Sequence, residues 1–377
     1  MMYSGNDAPT DLAETRTLFS AGPRTRTTPR RHGESSYRLL DQAASPFWAR
    51  VRARLDAWYR EWPANDAYLA RRFTDDDPAQ HYGAFWELYL HESLRLAGFT
   101  LSREPRITGR ETGPDFLAVK RHRSILLEAT TAFPGSESER KRVVFEGAIY
   151  DEFDKTRCSH WLDVNFVVSG KASPPVRKMR EQLEGALGAA DGRELTWRWQ
   201  GAGWCIEVQA VPRHLPPRRL GQTPIRPCGI FSPSDSSLDE RPAPLREALL
   251  DKRTRYGRPD MPFVIAVLAE LSVHSSFGSA SRCAELADPI SAFFATKGNE
   301  HVSAVVTAAL LKPWSIARRF PVLWPNPNAA HVVKRSELPW PEAADDVNRH
   351  LEEERLAADL LGLPPGWPGP EASFPSD

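Results

Sequence analysis

Apolar residues recur at helical spacing after Ser45, as Phe47, Val51, Leu55, Trp58 and Trp62, and again through Phe85-Trp86-Glu87-Leu88-Tyr89-Leu90. Both runs predict amphipathic helices. Ser45 before Pro46, and Thr74-Asp75-Asp76-Asp77 before Pro78, supply capping and acidic first-turn chemistry, while Gly98 ends the second helix. From residue 99 the period drops to two. Segments 99–107, 114–119 and 124–131 are predicted strands, separated by Gly109, by Gly113-Pro114 and by Lys120-Arg121-His122-Arg123. A polar-faced helix over 137–156, a strand over 161–168 and a helix over 174–189 follow. Helix, three strands, helix, strand, helix is the order of an α/β sheet flanked by helices.

The later half is less regular. Thr196–Trp199 and Trp204–Val211 predict a hairpin. Residues 212–244 hold eight prolines and five arginines without periodicity, which predicts a linker or flap. A helix over 244–256, a strand over 263–267 and a last strand over 302–311 lead to the turn Pro325-Asn326-Pro327-Asn328. The expected organisation is a disordered tail over 1–40, a core over 41–211, a linker over 212–244, a C-terminal α/β extension packing on the core over 245–335, and a helix with a Pro-rich tail over 336–377.

Composition narrows the function classes. The 377 residues carry 49 basic and 49 acidic side chains, which excludes gripping nucleic acid through bulk positive charge. Basic clusters must do that work instead; Arg24, Arg26, Arg30 and Arg31 in the tail, and Arg213, Arg218, Arg219 and Arg226 in the linker, are the candidates. Residues 1–35 hold no signal-peptide core and no stretch reaches the length of a membrane helix, so a cytoplasmic protein without a membrane partner is expected. The four Cys form no Cys-x-x-Cys pair and Gly-x-Ser-x-Gly is absent, which leaves a Cys or Ser hydrolase little support.

The chemistry gathers between residues 83 and 130. In Ser124-Ile125-Leu126-Leu127-Glu128-Ala129-Thr130-Thr131, strand alternation puts Glu128 inside an apolar strand, where an unpaired carboxylate costs several kcal/mol. Gly113-Pro114-Asp115 delivers a second acid to the start of the neighbouring strand. Paired strands lie about 4.8 Å apart, so Asp115 and Glu128 can converge on one Mg²⁺ or Mn²⁺. Glu87 is a third acid in an apolar context, and Gly83 and Ala84 one turn earlier would let its helix approach the sheet.

At these residues the chain resembles the PD-(D/E)XK superfamily, the restriction-endonuclease-like nucleases. The resemblance covers the helix with Glu87, then Pro114-Asp115 and Glu128-Ala129-Thr130, over about 75–190. Trp86-Glu87-Leu88-Tyr89-Leu90-His91-Glu92, a helix from Lys252 to Tyr256 and the Asn326-Pro327 turn extend it to about 330, in a bacterial branch of that superfamily. It implies a mixed sheet flanked by helices, Asp115, Glu128 and the Ala129 carbonyl as metal ligands, Glu87 as an accessory acid, and phosphodiester hydrolysis of nucleic acid, DNA first. One position departs from the pattern: Thr130 stands where the family has Lys. A Thr hydroxyl orients water but supplies no charge, and one lost stabilising group typically costs on the order of 10²–10³ in rate. Three outcomes follow: another lysine, Lys155 or Lys252, takes over; metal alone suffices; or the fold is catalytically degenerate and binds nucleic acid or a partner.

Overall fold

The computed structural model describes residues 16–28, 30–63, 66–107, 113–133, 137–212, 227–228, 243–269, 279–309, 311–334, 336–343, 356–364 and 366–370. Four helices come first: α1 (Ser36–Gln42), α2 (Pro46–Glu61), α3 (Tyr68–Phe73) and α4 (Pro78–Leu96). Strands β1 (Thr100–Arg103), β2 (Phe116–Lys120) and β3 (Arg123–Ala132) follow. Then come α5 (Glu137–Phe153), β4 (His160–Val168), α6 (Val176–Ala190), β5 (Leu195–Gly201) and β6 (Trp204–Pro212). The chain continues with α7 (Ala243–Arg253), β7 (Phe263–Ala269), α8 (Ser279–Ala295), β8 (Ala304–Ala309) and β9 (Val322–Pro325).

The main sheet has six strands in the order β1-β2-β3-β7-β8-β9, parallel along β3-β7-β8 and antiparallel toward both edges. β7 is buried along its whole length. That is why Phe263-Val264-Ile265-Ala266-Val267 is apolar without alternation: it is a central strand covered on both faces. Leu127, Val264 and Ala266 contribute to one core with α2 and α4, while Leu126, Ile265 and Val267 pack with Leu245, Leu249 and Tyr256 on the other face. α4 is buried continuously from His81 to Leu94 between the first helices and the sheet, and its Trp86 indole donates to the Ala266 carbonyl at 3.0 Å.

Three expectations change. The strand over 161–168 does not join the first three; as β4 it pairs with β6 in a separate antiparallel sheet, β4-β6-β5. That sheet has its own core, with Ile149 and Phe153 of α5, Met179 and Leu183 of α6, and Trp204. Segment 245–335 is more than an extension, because β7, β8 and β9 complete the sheet begun by β1–β3. Within the segment expected as a tail, Leu18 and Phe19 are buried, Arg24 pairs with Asp41 at 3.0 Å, and Arg26 pairs with Glu34. His32 and Gly33 donate their amides to Asp151 of α5 at 2.7 and 3.1 Å. The basic run is therefore largely consumed internally. Residues 1–15 and nearly all of the 212–244 linker, with Arg213, Arg218, Arg219 and Arg226, lie outside the described residues.

α1, α3, α8 and β9 had no sequence expectation. The first two are short, Asp288-Pro289 reads as a helix breaker although α8 carries Pro289 within it, and β9 ends on Pro325. Among the described residues no helix is long and apolar enough to cross a membrane.

Candidate functional site

A notch in the sheet creates the site. β2 pairs with β3 only from Arg123 to Leu127, whereas β7 accompanies β3 on its other side to Ala132. From Glu128 onward one edge of β3 lacks a strand partner. Asp115, just ahead of β2, fills that place with its side chain: Oδ2 accepts the Ala129 amide at 2.7 Å, the bond a ladder neighbour would have taken. The turn before it requires glycine, since a Cβ on Gly113 would lie 1.9 Å from the Pro105 carbonyl oxygen. In extended backbone the N–H and C=O of one residue point to the same side, so the Ala129 carbonyl also faces the notch.

Glu128 is 2% exposed. Its Oε1 accepts from Lys252 Nζ at 2.7 Å and from Arg255 at 3.4 Å; its Oε2 accepts from the Tyr256 hydroxyl at 2.8 Å and the Asp115 amide at 3.3 Å. Of the two lysines singled out from sequence, Lys252 reaches the site and Lys155 does not. Lys155 pairs with Glu152 at 2.5 Å, with a side chain 63% exposed. α7 presents Lys252 because Leu245 and Leu249 bury the same helix face against β3 and β7, with Tyr256 packing beside them just past the helix end.

Glu87 faces the notch from the α4 side. It is not a free accessory acid: Arg72 holds Oε1 at 2.5 Å and Arg103 holds Oε2 at 3.1 Å. Arg103 also pairs with Asp66 at 3.0 Å and lies over the Trp62 ring. His91 stays out of this chemistry. It packs against Trp62 and Phe116, and burial holds its pKa down to about 4, so it is neutral at pH 7. Trp204 lies in the core of the second sheet, with Trp197 and Trp199 packed against it, and donates to the Ala172 carbonyl at 2.9 Å.

Asp115, Glu128, Ala129, Thr130, Glu87 and Lys252 all line one cavity of about 590 Å³, together with Arg72, Arg255 and Tyr256. Charge within it is unevenly compensated. Glu87 and Glu128 each have two cationic partners, but among the described residues no Lys, Arg or His forms an ion pair with Asp115. Burial, then the neighbouring Glu128 and Glu87 carboxylates, push the Asp115 carboxyl well above the usual aspartate range. The Glu128 carboxylate and burial likewise raise the Tyr256 phenol, burial being the larger cause, so Tyr256 remains a hydrogen-bond donor.

Tyr256, Arg255, Arg72 and Arg103 were not assigned to the site from sequence. Tyr256 and Arg255 had a faint signal in the face shared with Lys252; the two arginines meet Glu87 only through tertiary packing. No group of three or more His, Cys, Asp or Glu side chains arranged to hold a metal occurs among the described residues. The oxygen donors that Asp115, Glu128 and Ala129 bring to the cavity lining are two carboxylates and one carbonyl, a hard set that suits Mg²⁺ or Mn²⁺ when waters complete the shell. Comparison with protein-family models, curated proteins and solved structures finds no match.

Proposed function

We propose that this chain is a divalent-metal-dependent phosphodiesterase of restriction-endonuclease-like fold, acting on nucleic acid and on DNA first. The observation that carries this reading is the buried Asp115 carboxyl beside Glu128, without an ion-pair partner among the described residues, where a cation would relieve the cost of its charge. The order α4-β1-β2-β3-α7-β7, with β7 parallel to β3, supports the fold. On this reading α7 and β7, in place of the helix over 137–156 and the strand over 161–168, supply the last two elements of a helix-strand-strand-strand-helix-strand order, with α5 to β6 inserted between β3 and α7.

Asp115, Glu128 and the Ala129 carbonyl are the residues that would hold Mg²⁺ or Mn²⁺. Such an ion lowers the pKa of a bound water and neutralises phosphate charge. Lys252 takes the role of the lysine that Thr130 lacks: its ammonium reaches Glu128 from α7 instead of from the strand. Tyr256 fixes the Glu128 carboxylate by donating to Oε2, and Thr130 offers a hydroxyl to orient water. A second reading, a nuclease fold kept as a binding module, draws support from the same contact, because Lys252 and Arg255 already neutralise Glu128 without metal.

Plasmid nicking by purified protein in Mg²⁺, Mn²⁺ and EDTA, beside Asp115→Ala and Glu128→Ala, separates the two. The nuclease reading expects metal-dependent nicking that both substitutions abolish. Activity surviving both would falsify the site assignment. Inactive wild type that binds DNA, with Thr130→Lys creating cleavage, favours the binding module.

A further inference from the structure

We infer that Arg72 is a substrate-binding residue, its guanidinium held at the cavity wall to contact a phosphodiester oxygen of the nucleic-acid strand. The inference rests on the nuclease reading above and specifies how the strand is held. Arg72 extends from α3 across one face of α4, where Gln80, Gly83 and Glu87 lie at helical spacing. Its Nε donates to Gln80 Oε1 at 3.3 Å and its Nη1 to Glu87 Oε1 at 2.5 Å. Nη2 lies over Gly83, so close that a Cβ there would stand 2.5 Å from it. The sequence invited a different role for Gly83, a close approach of helix to sheet. The structure assigns it to making room for an arginine.

An arginine has five N–H donors. Two kinds of bond to Gln80 and Glu87 fix the plane of this one, and among the described residues no protein acceptor takes the Nη2 donors. They sit in the wall of the cavity that Asp115 and Glu128 also line, beside Thr131 of β3. A clamped guanidinium with unused donors is the arrangement that recognises a phosphate oxygen at low entropic cost, since its orientation is set before the ligand arrives. Arg103 is the instructive contrast. Both guanidiniums lie over a ring, Arg72 over Tyr68 and Arg103 over Trp62, but Arg103 shares Glu87 while also serving Asp66, and it does not line the cavity.

The test measures binding of 30-nucleotide single-stranded and duplex DNA in Ca²⁺ across a salt series, and cleavage in Mg²⁺, for wild type, Arg72→Gln, Arg72→Lys and Gly83→Ala. Loss of one phosphate contact lowers the slope of log affinity against log salt by about one. Arg72→Gln is expected to show that reduction with a raised KM, and Arg72→Lys to recover part of the affinity. Gly83→Ala keeps every charge and shifts the Arg72 guanidinium off its seat without removing it, so it should weaken binding while the protein stays folded; it decides the matter if Arg72→Gln does not fold. Wild type that binds and cleaves, with variants matching it in slope and KM, overturns this inference alone. Wild type that neither binds nor cleaves overturns the nuclease reading and this inference with it.

Discussion

The notch beside β3 and the inserted sheet β4-β6-β5 handle charge in opposite ways. In the insertion, Glu152 is covered by the side chains that pair with it, Lys155 at 2.5 Å and Arg180 at 2.9 Å; burial is the largest single influence on its pKa and raises it, but the hydrogen bonds and charges of the two partners together hold it below the ordinary glutamate value. In the notch, Glu87 and Glu128 are similarly matched, but Asp115 is enclosed beside them without such a partner. The ion pairs of Glu152 engage both of its oxygens; in the notch the cations pair with Glu87 and Glu128, and none of the described ones pairs directly with Asp115. An uncompensated buried acid costs stability, and sites of that kind are where function concentrates.

The comparison can be broken at four places. The largest stability effect is expected from Glu87→Gln, which leaves Arg72 without its carboxylate partner and takes one of those of Arg103. Breaking a buried pair costs about 3–5 kcal/mol, read from denaturant unfolding. Second, Asp115→Asn should reduce cleavage by on the order of 10²–10³ while raising the melting temperature in EDTA. The sign follows from linkage. Burial, Glu128 and Glu87 raise the folded pKa, so the charged form is disfavoured on folding, and stability falls as pH climbs from the ordinary value of 3.8 toward the folded one. The advantage of Asp115→Asn should therefore vanish near pH 3 and grow as pH rises above the ordinary value of 3.8; a constant advantage from pH 3 to pH 7 would remove the electrostatic account. Third, Mg²⁺ at a hundredfold excess over its Kd should stabilise wild type by about 2.7 kcal/mol and leave Asp115→Asn unmoved in a thermal melt. Glu152→Gln should retain the full metal response. The smallest effect belongs to Lys155→Ala, within about 0.5 kcal/mol of wild type and without loss of cleavage, whereas Lys252→Ala should lose activity.

What was legible beforehand follows the same division. Glu128 stood out because an acid in an apolar strand is locally improbable, and Gly113-Pro114-Asp115 because turn chemistry announces where the aspartate must sit. Strands and most helices were visible in the period of their apolar residues. Sheet membership was not, because periodicity describes a strand's faces and not its neighbours. Residues 161–168 alternate as well as 116–120 do, yet pair elsewhere. Glu87 was correctly seen as an acid out of place, but its partners Arg72 and Arg103 come from α3 and β1, and only packing reveals them. Lys252 could be placed on an apolar helix face; that this face covers Glu128 required the parallel pairing of β7 with β3.

That pairing also has a bearing on time. Glu128 and Lys252 are 124 positions apart in the chain. As the polypeptide leaves the ribosome, Asp115 and Glu128 emerge long before the helix that carries Lys252. Contacts of such sequence separation form late in folding. A partly synthesised chain thus holds both acids without the lysine that pairs with Glu128, and that ion pair forms only once α7 has been made. The closing excursion can meanwhile change size cheaply, since doubling a loop's length adds only about 0.6 kcal/mol to its closure. The insertion is free to diverge in length and surface while the pairing of β7 with β3, and with it the Lys252–Glu128 contact, keeps its geometry.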